Sequence, residues 1–269
     1  MLAVQKKRIH LIVYLSSNMK ILIVGYGFVG QAVGNALKEK HRVLIVDPKI
    51  TENKISDFPD VDGIVVCVPT PGDDCDISAV RNVLEQIPIH IPILIKSTVT
   101  PERLAELIVE FPGYSICYSP EFLRAVNANK DFATQKFMII GGEDPDHFWR
   151  TLFQSVLADC KLYFDCSYAE ASMAKYSINS FLAIKVSFFN QVYEMCKQNG
   201  ADFEIVRQML SHDTRVGPSH TLVPGTDGKR GFGGACFPKD TKSFINYANC
   251  LNTPITVLEE SVKYNDKIR

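Results

Sequence analysis

The sequence lacks what several functional classes require. Its 269 residues contain no apolar run approaching the ~20 residues that span a bilayer, so no membrane partner is expected. It carries no surplus of base: 29 Lys and Arg stand against 30 Asp and Glu, a formal charge of −1. Binding to a phosphate backbone usually demands a clear positive excess, and no nucleic-acid partner is expected. The eight cysteines (67, 75, 117, 160, 166, 196, 236 and 250) include no CxxC pair and no Cys/His group at zinc spacing, which argues against a structural metal. There is no internal repeat and no low-complexity tract.

What is present describes a globular chain: 46% hydrophobic and 22% charged residues over a length that suits two domains. Cysteines such as Cys67 in IVVCV and Cys117 in SICYS sit in apolar runs, where a thiol acts as a small hydrophobe. That usage points to a reducing, cytoplasmic setting. The first residues, KKR followed by IHLIVYL, imitate a signal peptide, but the apolar run is short and no A-x-A site follows. A second start at Met19-Lys20, directly before a strand, marks residues 1–18 as an N-terminal extension outside the fold.

From Lys20 to Phe164, short β-branched runs alternate with helical stretches; ILIVG, RVLIVD, GIVVCVP, PILIKST, YSICYS and KFMIIGG are the strand candidates. Apolar strands buried on both faces, joined by right-handed crossovers, predict an α/β domain over 19–165, a doubly wound, Rossmann-like parallel sheet. Thr100 before Pro101 marks one helix start. At Ser167 the pattern changes. Ser167-x-x-Glu170 is a capping box ahead of a stretch without glycine or proline until Gly200. The rest, 166–269, reads as an all-α domain built on that long helix. Met173, Ile178, Phe181, Leu182, Ile184, Phe188, Phe189 and Val192 spread round its circumference, so it should be packed on several sides, an arrangement that invites a homodimer. Asp202 caps a shorter helix. Thr214–Gly234 holds six glycines and two prolines, a functional type of loop, and Pro238 and Pro254 open the last two helices.

Five groups of residues carry chemistry. Gly25-Tyr26-Gly27-Phe28-Val29-Gly30 follows a strand and opens a helix, the context in which such glycines hold a pyrophosphate at a helix N-terminus. Asp47 ends the second strand 22 residues after Gly25; a carboxylate there accepts ribose hydroxyls and repels a 2′-phosphate, which favours NAD. Cys236 stands between the loop Gly231-Phe232-Gly233-Gly234 and a proline-started helix. Both the helix end and Lys239 should favour its thiolate, and the glycines should let a substrate reach the sulfur. Lys175 and Asn179, four apart on one helix face, can together polarise an oxygen. Glu121, in SPEFLRA, and Ser97-Thr98 follow strand ends, where open α/β sheets hold ligands.

GYGFVG, VPTP (Val68–Pro71), STVTPE, SPEFL, AKYSINSFLA, DTRVG and GFGGACFPKD occur in the order found in the UDP-glucose/GDP-mannose dehydrogenase family, which the chain resembles from Met19 to about Tyr264. The resemblance implies NAD-dependent oxidation of the C6 alcohol of a nucleotide sugar, such as UDP-glucose, to a carboxylate. Cys236 matches the nucleophile that captures the aldehyde as a thiohemiacetal and then carries a thioester. Lys175 and Asn179 match groups that stabilise negative charge on oxygen. Glu121 matches the carboxylate of thioester hydrolysis, with Thr98 and Asp240 beside the water. Gly25, Gly27, Phe28, Val29, Gly30, Asp47, Pro69, Thr70 and Thr98 match cofactor contacts. Glu121, Phe122, Leu123, Lys175, Asn179, Arg215, Gly233 and Cys236 match substrate contacts, and His220, Lys229 and Arg230 align loosely with diphosphate contacts. Ala125 departs from the second glutamate many members carry. Members also continue past the point matching Arg269 into a further domain that grips the nucleotide. Two other readings follow from the same residues: a two-electron β-hydroxyacid-type dehydrogenase, which also pairs a lysine and an asparagine on a long helix, and a non-catalytic NAD-binding subunit.

Overall fold

A computed structural model of the chain describes residues 18–269. The reading of residues 1–18 as an extension therefore falls almost wholly outside the described residues. The chain forms two compact units, one of residues 18–71 and 75–175, the other of 72–74 and 176–269.

In the first unit the strands are β1 (Lys20–Val24), β2 (Arg42–Val46), β3 (Gly63–Val66), β4 (Ile93–Ile95), β5 (Ile116–Tyr118), β6 (Phe137–Gly141) and β7 (Leu162–Cys166). They make one sheet in the order β2-β1-β3-β4-β5-β6-β7. Central strands are apolar at consecutive positions because each face has its own helical layer. Ile21, Ile23, Val65 and Leu94 pack with Val33, Leu37, Trp149 and Phe153 on one side. Leu22, Val24, Ile64, Val66, Ile93 and Ile95 pack with Val80, Leu84, Leu104 and Leu107 on the other. Helices α1 (Phe28–Leu37), α2 (Ser78–Leu84), α3 (Pro101–Glu110), α4 (Ala128–Ala133) and α5 (Phe148–Val156) supply these layers. The chain leaves β1 for β2 on one side and returns to β3 on the other, so the carboxyl ends of β1 and β3 form the crevice where doubly wound sheets bind ligands.

The sheet departs from the sequence reading in two ways. β7, in KLYFDC, was not among the candidates: as an edge strand it is exposed or half-buried at every position and has no apolar run to announce it. β6 runs antiparallel to β5, meeting it at Tyr118 and Gly141. An antiparallel neighbour needs no crossover. The connection from Ser119 to Lys136 accordingly leaves and re-enters the sheet at the same end, which keeps Glu121 on the ligand side. At α3, Pro101 occupies the first turn, but the Thr100 side chain makes no capping bond.

The long helix α6 (Tyr168–Asn199) starts at the expected capping box: Ser167 N–H donates to Glu170 Oε2 at 2.7 Å and Glu170 N–H to Ser167 Oγ at 3.2 Å. It continues from the first unit into the second, which adds α7 (Phe203–His212), α8 (Phe237–Cys250) and α9 (Thr256–Ile268). The small core there is Tyr176, Phe244 and Leu258, with the two rings stacked 5.7 Å apart. Among the described residues, part of the apolar circumference of α6 stays uncovered. Met173, Phe181, Phe188 and Met195 are 39%, 64%, 54% and 59% exposed, a bare stripe at seven- to eight-residue spacing.

Candidate active site

The dinucleotide cradle follows from three glycines with different physical duties. Gly25 has φ +87°, and a Cβ there would lie 2.7 Å from the Cys67 carbonyl oxygen, so it makes the turn against the end of β3. A Cβ at Gly30 would lie 2.1 Å from the Gly25 oxygen, so it lets α1 close on its strand. Gly27 is exposed and a Cβ there would meet nothing within 4 Å. It begins α1 with no side-chain cap and no acidic residue in the first turn; its open face and the free helix end fit an incoming pyrophosphate. Phe28 and Val29 are half-buried in that turn. Asp47 is half-buried, accepting Tyr26 N–H at 2.7 Å and Lys49 N–H at 2.8 Å, which fixes a carboxylate at the end of β2 where a ribose belongs. Across the crevice, Thr70 Oγ1 donates to the Thr98 carbonyl at 2.6 Å and Ser97 Oγ to the Val68 carbonyl at 2.6 Å. These bonds stitch together the segments after β3 and β4, with Pro69 exposed and Thr98 half-buried beside them. The residues present therefore fit NAD.

A second cluster in the same unit surrounds Glu121, which is 5% exposed. Its Oε2 accepts Leu123 N–H at 2.6 Å and its Oε1 pairs with Lys175 Nζ at 3.0 Å, while that ammonium also donates to the Glu121 carbonyl at 2.6 Å. The Phe122 ring lies 5.5 Å from the ammonium. Sequence reasoning missed Lys96, which directly follows β4 and is 2% exposed. Its Nζ donates to Ser119 Oγ at 3.2 Å and faces the Pro120 carbonyl at 3.5 Å. Burial pulls this amine down to about 8, against the opposing pull of Cys67 and Glu121 and with a further push from Lys175. Its signal was a charged residue ending an otherwise apolar strand. Burial works the other way on thiols, and Cys67 and Cys117 are both pushed up to about 12.

In the second unit, Asn179 Nδ2 donates to Asp240 Oδ2 at 2.6 Å, both groups buried. Lys175 and Asn179, one turn apart on α6, are thus each committed to a carboxylate, Glu121 and Asp240 respectively. Cys236 is the half-buried N-cap residue of α8, and its carbonyl accepts Asp240 N–H at 2.8 Å. The Lys239 ammonium, three residues into the same helix end, pairs with Asp240 Oδ1 at 2.7 Å. The preceding loop is held by residues that sequence reasoning also missed. Asn265 Oδ1 accepts Phe232 N–H at 2.6 Å, Asn190 Oδ1 accepts Gly231 N–H at 3.2 Å, and Arg269 donates to the carbonyls of Arg230 and Gly231 at 3.2 and 3.3 Å. A Cβ at Gly233 would lie 2.0 Å from that guanidinium, so the glycine makes room for it. Arg215 is paired with Asp213 at 2.6 Å on the surface, its side chain 87% exposed. Arg230 pairs with Glu194 and covers the Tyr193 ring at 5.4 Å, and Lys229 is exposed. The His220 ring lies 5.5 Å from that of Phe237.

Two family models match. The NAD binding domain of the UDP-glucose/GDP-mannose dehydrogenase family matches residues 48–157 and its central domain matches residues 169–267. The chain is 29% identical over 230 residues to a UDP-glucose 6-dehydrogenase of Rickettsia typhi, an alignment covering 81% of this chain and 52% of that one. It thus spans about half the length of the curated relatives it matches. Among solved structures, a UDP-glucose dehydrogenase from Pyrobaculum islandicum superposes with a TM-score of 0.81 at 25% identity, over 94% of this chain and 69% of the other. The 3-hydroxyisobutyrate dehydrogenase of Mycobacterium tuberculosis shares the fold, with a TM-score of 0.73 at 16% identity over 93% of both chains.

Proposed function

The chain belongs to the UDP-glucose/GDP-mannose dehydrogenase family, and on that premise we propose that it oxidises the C6 alcohol of a nucleotide sugar, UDP-glucose in the first instance, to the carboxylate. Bound NAD would supply the hydride acceptor for each of the two oxidations, the C6 hydroxyl proton of the first passing to water. Between them the Cys236 thiolate adds to the aldehyde carbon, giving a thiohemiacetal whose oxygen is stabilised by the amine of Lys175 and the amide of Asn179. Loss of the second hydride leaves a thioester. Glu121 then takes a proton from water as the water attacks the thioester carbonyl, and the Cys236 thiolate departs as the acid is released. Thr98 and Asp240 hold that water, while Phe122, Leu123 and Arg215 contact the sugar nucleotide. The observation that carries this reading is Cys236 at the N-cap of α8, within a glycine-rich loop held by Asn190, Asn265 and Arg269. The Glu121–Lys175 ion pair supports it, because it holds a buried carboxylate in one orientation.

A β-hydroxyacid-type oxidation would need neither Cys236 nor Glu121. Spectrophotometric counting of NADH over a panel of UDP- and GDP-sugars separates the readings. Two NADH per sugar is expected; one supports the two-electron reaction; none, with NAD still bound, indicates a non-catalytic subunit. The proposal extends to a second copy of the chain docked on the bare stripe of α6. Phe181, Phe188 and Met195 repeat at heptad spacing and present the same surface to a two-fold partner. A groove of about 450 Å³ beside Ile184 and Phe188, walled by Val257 and Tyr264, adjoins them.

A further inference from the structure

Lys96 has no role in the chemistry above, yet it is among the most deeply buried charged residues, 2% exposed. Among the described residues it makes no ion pair; its partners are a hydroxyl and a carbonyl, Ser119 Oγ and Pro120 O. Burying an amine without a carboxylate partner is costly, and an apolar side chain would fill this place at less expense to the fold. The cluster also holds two amines for one carboxylate, since Glu121 is already paired with Lys175. Both atoms that Lys96 touches belong to the two residues immediately before Glu121, and its own backbone is locked, with N–H donating to the Val66 carbonyl at 2.8 Å.

We propose that Lys96 is a positioning residue for the Glu121 carboxylate, its ammonium anchoring the Ser119–Pro120 segment that leads into Glu121. This rests on the functional reading given to Glu121. Bonds donated by an ammonium are stronger than those donated by a neutral amine, so the anchor is firm only while Lys96 is protonated. The groups facing it are the Cys67 thiol after β3, Glu121 after β5, Lys175 on α6 and the Phe132 ring on α4, 5.8 Å away. Their combined effect, with burial, puts the loss of that proton near pH 8.

The test is Lys96→Met in the full chain. Turnover at pH 7 should fall at least 20-fold while the KM values for NAD and nucleotide sugar stay within threefold. The melting temperature should not drop, because a buried charge has been removed. The wild-type decline in kcat as pH rises through about 8 should vanish in the variant. A second readout needs no turnover: the carboxyl ¹³C resonance of Glu121, assigned with Glu121→Gln, should show a step near pH 8 in the wild type and none in Lys96→Met. A wild-type protein that oxidises no nucleotide sugar would refute the functional reading, and the Glu121 resonance would still decide the role of Lys96. Turnover within threefold of wild type, a Glu121 resonance with the same pH profile in both proteins, or activity lost only in step with a lowered melting temperature would each overturn the proposal.

Discussion

A methyl group added at Gly30 would lie 2.1 Å from a backbone oxygen, whereas one added at Gly27 would touch nothing. The two substitutions should therefore fail differently. Gly30→Ala should destabilise the chain by about 1–3 kcal/mol, as overpacking does, with NAD binding lost as a consequence of the displaced helix. Gly27→Ala should leave stability within about 0.5 kcal/mol and weaken NAD at least tenfold, about 1.4 kcal/mol, by filling the pyrophosphate's place. Urea unfolding and titration calorimetry read the two effects separately. The cysteines divide in the same way. Burial pushes the thiols of Cys67 and Cys117 up to about 12, so both should resist iodoacetamide at pH 7.5 in the folded protein. Peptide mapping that found them alkylated as fast as the exposed Cys250 would contradict that assignment. The roles of Gly25 and Gly30 were legible from spacing. The closeness of Gly233 to the Arg269 guanidinium was not, because the two are thirty-six residues apart along the chain.

Helix α6 was the most legible element, since its capping box and unbroken run are local signals. Ser167→Ala should cost about 1 kcal/mol, measured as a shift in the urea midpoint at constant slope. What the run could not reveal was how much of its apolar circumference one chain covers. The residual stripe argues for a second copy, and Phe181→Glu with Phe188→Glu should yield a monomer by light scattering with the helical content kept. A monomeric wild type would remove that reading. Strand β7 escaped notice because an edge strand with exposed positions has neither alternation nor an apolar run. The reversal of β6 escaped because strand direction is set by pairing; the peptide between β5 and β6 has the length of an ordinary crossover.

At the scale of the whole chain, motif order supplied the residues proposed for the site, while their hydrogen-bond and ion-pair partners came only with the fold. Glu121 and Lys175 are 54 residues apart and Asn179 and Asp240 are 61 apart, distances over which sequence spacing carries no contact information. Lys96 was hidden because its neighbours read as a buried strand, a context that usually excludes charge. The chain spans about half of its curated relatives, so the chemistry is best judged on the sulfur that is proposed to carry it. Glu121→Gln should stall hydrolysis after a burst of NADH. Intact mass followed by peptide mapping, after incubation of that variant with NAD and UDP-glucose, should find a uronyl thioester on the peptide containing Cys236 and on no other. Production of the sugar acid at wild-type rate with Cys236 never modified, or by a Cys236→Ser variant, would contradict the covalent mechanism.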